Sequence, residues 1–466
     1  MAAPATPAAR NTTVAADPHA PPITRSLARF VATHPSRGWS DAVEHEARRT
    51  LLNWLGCAIG AARHESTSAA LAAVQMLQPA PQAAVLGRSE RVDMASAAFV
   101  NGISSHTFDF DDTHLRTIIH PAGPVAPALL ALAEHTGASG RALIDALVLG
   151  VDVSCRMGNV VYPDHYDRGW HITGSTGGLG AAAGCARLLG LSEQQTLMAI
   201  GIAASQPVGL REQFGTMSKP LHPGAAARVG LMAALMARHG FTASPRALEA
   251  PRGWAQVVST KCDWAEATDQ LGERFEIAFN TYKPFACGIV IHPAIEACAQ
   301  MREQGIAAAQ VERIELEVHP LVLELCGRKE PADGLQAKFS VYHGCAAGLI
   351  FGCAGEAEFA DAVVTREDMA ALRRKVAARV GQGIAEDAVH AVATLTDGRR
   401  VVVDIEHAVG SAQRPISDAA LAAKFHALVT PVLGAARSAQ IAAACAEVAS
   451  APDVRHLVAL AQPAAA

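Results

Sequence analysis

Apolar residues recur three and four positions apart through the first half of the chain, the period of helices that bury one face. "ARRTLLNWLGCAIGAA", "MASAAFVNGISSHTF", "PVAPALLALAEH", "ALIDALVLGVDVSCRMG" and "AARVGLMAALMARHG" all carry it between Ile23 and about Gly240. Gly and Pro punctuate these runs where helices should stop. Ser192 and Gln195 have capping-box spacing ahead of "TLMAIGIAAS" and predict a helix start there. Past residue 280 the period changes. "VERIELEVHP" alternates apolar and charged residues from Val311 to Val318, as a half-exposed strand does. "VHAVATLTDGRRVVVDIE" has two β-rich runs around Asp397-Gly398, a hairpin signal, and Pro293 to Glu303 and Arg366 to Val380 read as helices between the strands. After "SDAALAAKFHALVTPVLG" the helical pattern returns.

The pattern predicts a mainly α fold: a large all-helical domain from residues 23–278 and 411–466, with a smaller α+β unit, 279–410, inserted between its segments. The first 22 residues, "MAAPATPAARNTTVAADPHAPP", read as a disordered tail. A cleft between an inserted unit and its host is a common ligand site.

The chain has 466 residues, half of them hydrophobic, and a formal net charge of -5. No run of Lys and Arg interleaves with aromatics, so nucleic acid is not an expected partner. The ten cysteines form no CxxC pair and no cluster with histidine, which predicts reduced core thiols in a cytoplasmic protein rather than a zinc or iron–sulfur site. No stretch is long and apolar enough to predict a membrane span.

Against this apolar background "HTFDFDDTHLRTIIHP", residues 106–121, is unusual. Carboxylates at the end of a helix oppose its dipole, so helix stability does not explain them. Asp109 and His120 are candidates for proton transfer and Thr113 for a hydrogen bond; Asp111, Asp112, His114 and Arg116 have a simpler reading as paired or solvated groups. "DFDD" lacks the glycine and spacing of a calcium loop, and no metal is expected. "YDRGWHITGSTGG" places His171 before a glycine-rich helix start at about Ser175, whose amides attract an anion; close helix packing explains the glycines equally well. They do not fit a dinucleotide fingerprint. In "FGTMSKPLHPGAAAR", Lys219 and His222 lie ahead of a Pro-Gly helix start and could together hold an anionic group. "NTYKPFACG" carries Lys283, and "AKFSVYHGCAAGLIFG" carries Tyr342 inside an apolar helix, where a tyrosine is more often a core residue than a catalyst.

These five segments, in this order, resemble the MmgE/PrpD family, which includes 2-methylcitrate dehydratases, cis-aconitate decarboxylases and iminodisuccinate epimerases. The resemblance implies a homodimer in which an α+β lid closes over a helical domain. It also implies a cleft that binds small di- or tricarboxylates without metal or organic cofactor. By motif, Asp109, His120, His171 and Tyr342 are the expected catalytic residues, and Thr113, Lys219, His222 and Lys283 the expected substrate-binding ones. Arg211 and Arg228 are further candidate cations. The expected reaction is hydro-lyase chemistry through an α-carbanion, with Asp109 or His171 as base and His120 as acid; decarboxylation, epimerisation and carboxylate binding without turnover are the alternatives. Gly288 stands where the decarboxylase pattern has a histidine, and His120 lies one position further from Thr113 than in that pattern.

Overall fold

Ala and Gly at helical spacing allow backbones to approach closely, and the architecture follows from that. The computed structural model describes residues 22–36 and 39–464; the expected tail therefore lies outside the described residues except for Pro22. The helices Met94–Thr107, Ala122–Thr136, Gly140–Val161, Ile172–Leu188 and Ser218–Arg238 pack around one hydrophobic core, with Ile23–Thr33, Asp41–Gly60 and Glu193–Ala204 against them. Ser192 and Gln195 form the expected capping box of Glu193–Ala204.

The glycines after His171 are packing residues. A Cβ on Gly180 would lie 2.5 Å from the Gly150 carbonyl oxygen, and one on Gly177 2.3 Å from Pro124. The helix begins at Ile172, earlier than expected, with His171 at its N-cap position. The next site helix also starts early, at Ser218, so Lys219 and His222 stand within its opening turns instead of ahead of it. It crosses Met94–Thr107 where Gly102 meets Gly224, and a Cβ on Gly102 would lie 2.7 Å from Gly224 Cα. That crossing fixes His106 and Lys219 relative to one another.

A second core gathers apolar residues from Phe285 to Ala408, joined by Cys57, Phe110 and Leu428. Its sheet has the strand order Val376–Val380, Val311–Val318, Val389–Leu395, Arg400–Ile405. The last two strands form the expected hairpin, and Gly398 in its turn has a φ of 84°. The first pair is parallel, Ile314 opposite Val376. The expected 366–380 helix is thus corrected: it spans only Glu367–Arg373, and the valines at 376 and 380 complete the sheet. Helices His292–Glu303 and Val341–Phe351 pack together within this core.

Two features join the cores. Strand Asp112–His114, inside the segment read as a helix end, pairs antiparallel with Asn280–Tyr282, with Thr113 opposite Thr281. Helix Asp418–Leu433 packs on Asp41–Gly60 and returns Phe425 and Val429 to the first core. The molecule is mainly helical with small sheets. Among the described residues no helix is long and apolar enough to cross a membrane.

Because neither backbone at the Gly102–Gly224 crossing can yield to a methyl group, Gly102→Ala and Gly224→Ala should each destabilise the chain by about 1–3 kcal/mol. A urea midpoint equal to that of the parent chain would show that the helices separate freely there.

Candidate active site

Three chain segments meet at Asp109. Helix Met94–Thr107 ends just before it, and the loop turns through Asp109 with a φ of 51°, a left-handed conformation that aspartate tolerates better than most residues. Oδ1 accepts hydrogen bonds from Lys219 Nζ, on the crossing helix, and from Lys283 Nζ, just past strand Asn280–Tyr282, both at 2.7 Å. Lys283 also donates to the Asp109 carbonyl at 3.0 Å. All three side chains are buried. Burial alone would raise the Asp109 pKa, but the two ammonium groups override it and hold the carboxyl well below the usual carboxylate range. Burial lowers the Lys219 pKa, whereas Lys283, against the same opposing effect, is raised by Asp109 and Asp111.

Four histidines surround this ion triad, three of them with rings in mutual contact. The His106 ring lies 4.9 Å from that of His120 and 5.6 Å from that of His171. His106 Nδ1 meets Asp111 Oδ2 at 2.6 Å. His120 Nδ1 lies 2.8 Å from the Asp112 carbonyl oxygen and 3.2 Å from Thr113 Oγ1. A carbonyl can only accept, so the His120 proton sits on Nδ1 and Nε2 keeps a free lone pair. His171 Nδ1 faces His222 Nδ1 at 2.8 Å, an arrangement that requires one donor and one acceptor. Burial pushes His120 down to about 3 and His222 to about 4, and drives His171 well below its usual value, so all three rings are neutral near pH 7.

Asp109, His120, His171, Lys219 and Lys283, all expected from the sequence, line one cavity at the seam between the cores. Tyr166, Phe214 and Phe339 complete its wall. Lys219 Nζ lies 5.1 and 5.0 Å from the ring centroids of Phe214 and Phe339, a cation–π setting. Thr113 and His222 are not in the lining; each stands one hydrogen bond behind a lining histidine. Tyr342 is not in the lining either, which corrects its expected place. Ser340 caps helix Val341–Phe351, so the segment's cavity-facing residue is Phe339, and Tyr342 turns into the second core. Arg211 lies over the Tyr166 ring and pairs with Glu324, while Arg228 lies over Phe99; neither lines the cavity.

Lys424 was not among the residues expected from the sequence, its one signal being a cation inside the apolar run "AALAAKFHALV". Its Nζ donates to the Phe110 carbonyl at 2.5 Å and the Lys283 carbonyl at 3.0 Å, binding the loop to the strand. His114, expected to be paired or exposed, is buried with Nε2 3.0 Å from Glu276.

Metal-ligating atoms of His106, Asp109, Asp111 and His120 lie within 4.8 Å of one another. Two ammonium groups already bind the carboxylate at the centre of this set, so its electrostatics favour an anion over a cation. His106 Nε2, Asp109 Oδ2 and Asp111 Oδ1 are buried without partners, and a hydroxyl-bearing ligand would satisfy them.

The chain matches the MmgE/PrpD N-terminal domain over residues 25–267 and the MmgE/PrpD C-terminal domain over residues 285–448. It is 30% identical over 297 residues to a cis-aconitate decarboxylase-like protein of Aspergillus oryzae, covering 60% of this chain and 61% of that protein. It is 28% identical to the cis-aconitate decarboxylase of Homo sapiens over 76% of each chain. Against the 2-methylcitrate dehydratase of Escherichia coli K12 it is 25% identical, over 79% of this chain and 82% of the other. The chain spans less than two thirds of the length of the fungal relatives it matches.

His120 and His292 at about 3, and His165, His222 and His343 at about 4, stay neutral in the folded chain but protonate near 6.5 once unfolded. The unfolded state then binds more protons, so this contribution to stability is fully present above 6.5 and is lost progressively as pH falls from there through the folded values. Asp112, raised to about 7 by burial and Asp111, and Asp152, raised to about 6, act in the opposite direction, and the histidines outnumber them. The urea midpoint should therefore fall steadily between pH 6.5 and 5. A flat midpoint would mean that these rings are solvated.

Proposed function

Since the chain belongs to the MmgE/PrpD family, we propose that it is a lyase for a small di- or tricarboxylate, acting by proton removal next to a carboxylate, with dehydration of a 2-methylcitrate-like hydroxy acid as the leading reaction. The observation that carries this reading is a pair of neutral histidines, each tethered at Nδ1, lining the same cavity as two lysine ammonium groups.

His120 Nε2 takes the proton, because its Nδ1 is committed to the Asp112 carbonyl. Asp109 is unsuited to that role, since two ammonium groups stabilise its charge; it holds the lysines in place. In this proposal the base and the acid are the reverse of those expected from the sequence. Electrons from the broken C–H bond move into the neighbouring carboxylate, and Lys219 and Lys283 stabilise the resulting enediolate. A polyanion entering this low-dielectric site raises the proton affinity of the His171–His222 pair. His171, then protonated, gives its Nε2 proton to the departing hydroxyl, which leaves as water.

Decarboxylation is the second reading, favoured by relatives named cis-aconitate decarboxylase at 28–30% identity. Against it stands Gly288, which lines the cavity where the decarboxylase pattern carries a histidine; even a Cβ there would lie 2.8 Å from Cys326 Sγ. In this proposal residues 279–410 act as the lid. The chain is placed in the cytoplasm, supported by ten free cysteines, and forms a homodimer; exposed Met217, Leu221 and Met232 at helix Ser218–Arg238 offer a face for it.

His120→Asn should lower turnover by roughly 10²–10⁴-fold while a bound polycarboxylate still raises the melting temperature. Lys283→Met should abolish that ligand-induced shift. Incubation with 2-methylcitrate, citrate and cis-aconitate separates the reactions by new-alkene absorbance or carbon dioxide release. Undiminished turnover in His120→Asn would refute the assignment of the base.

A further inference from the structure

The cavity bounded by the histidines and lysines has a volume of about 30 Å³, enough for a water molecule but not for a polycarboxylate. At the same seam lies a second cavity of about 300 Å³, bounded by Arg116, His292, Glu386 and the 408–413 loop. Among the described residues, the two cavities share three lining residues, Ile118, Ile289 and Val290. Ile118 belongs to the first core, and Ile289 and Val290 pack in or against the second, so the partition between the cavities is a contact between the two bodies.

Ile118 has a φ of 58°. A β-branched side chain in the left-handed region is held there only where the surroundings enforce it. The residue lies two positions before His120 in the loop that crosses the seam, and its conformation places an apolar side chain on the dividing wall.

We propose that the outer cavity is the antechamber of the site, and that Ile118 against Ile289 and Val290 forms an apolar gate that admits the acid and limits its size. The nature of the acid rests on the function proposed above; the gate itself does not. Among the described residues the antechamber offers no free cation: Arg116 is bonded to Glu266 at 2.8 Å, and burial holds His292 down to about 3, so that its ring is neutral. The ammonium groups that would meet an anion lie behind the gate, on Lys219 and Lys283. Closing the apolar contact then excludes water from the reacting groups.

Cys326 lines the inner cavity and is buried, Cys353 is exposed, and Cys185 lies deep in the first core. The full chain is treated with iodoacetamide at one pH, and the modification of each cysteine is followed by peptide mass spectrometry, which needs no turnover. Ile118→Gly, which removes both the side chain and the backbone strain, should speed modification of Cys326 roughly tenfold and leave Cys353 unchanged. Ala412→Trp, in the exposed wall of the antechamber, should slow it. The gate is refuted if Cys326 reacts at the parental rate in Ile118→Gly, or if Cys185 accelerates in step, which would mean a loosened core. An unchanged Cys326 rate in Ala412→Trp would overturn the antechamber as the route.

Discussion

The bond of one carboxylate oxygen to two buried ammonium groups organises this molecule. Asp109 Oδ1 receives Lys219 from a helix of the first core and Lys283 from the chain entering the second, each at 2.7 Å. Three charges taken out of water are costly, and attraction compensates only when the geometry is tight and every partner is present. The surroundings therefore serve to hold that geometry. The Gly102–Gly224 crossing fixes the helix of Lys219, the Asp112–His114 ladder fixes the strand leading to Lys283, and Lys424 ties the carbonyls on either side together. The site is thus assembled from both cores.

Each lining histidine is held at Nδ1 by a neighbouring group. The Asp112 carbonyl settles the tautomer of His120, and the Asp112 carboxylate is itself held by the Ala122 amide and by Asn280 Nδ2 at 2.7 Å. His222 anchors His171 at the same nitrogen. A neutral ring with one nitrogen anchored presents the other in a fixed direction, which a freely rotating imidazole would not. The dense polar run of residues 106–121 thus contains few redundant groups: those without a reactive role position the ones that have one.

Much of this was legible in the sequence, because helical periodicity and the strand alternation of Val311–Val318 are local signals. The lining residues Asp109, His120, His171, Lys219 and Lys283 were legible because they stand in short polar segments of an apolar chain, where such groups are expensive to bury, and because those segments resemble a family's motifs in the same order. Less visible was anything set by partners distant in the chain. Val376–Val380 reads as a helix until the parallel neighbour that makes it a strand is known, and Asp112–His114 pairs with residues far beyond its local window. Lys424 and Phe339 were missed for the same reason. Tyr342 was misplaced because a motif gives position along a helix, whereas the Ser340 cap decides which residue faces the cavity.

Charge counting explains why the site is built from neutral histidines. With Asp109 and Asp111 held ionised and Lys219 and Lys283 protonated, the ions nearest the cavity cancel. Fixed cations in excess would repel one another in the empty site, and a fixed anion in excess would repel the ligand. A balanced set avoids both, but leaves an incoming dianion uncompensated in a medium that screens poorly. Protons can supply the missing charge only where groups stand ready to accept them, and in the proposed reaction the His171–His222 pair is such a group: uncharged in the empty site, it takes up a proton when an anion arrives, while His120 stays neutral. The same burial that makes this pair costly to protonate in the empty site would couple its protonation to the ligand, so that under the proposed function an acid becomes available only when there is a substrate to use it.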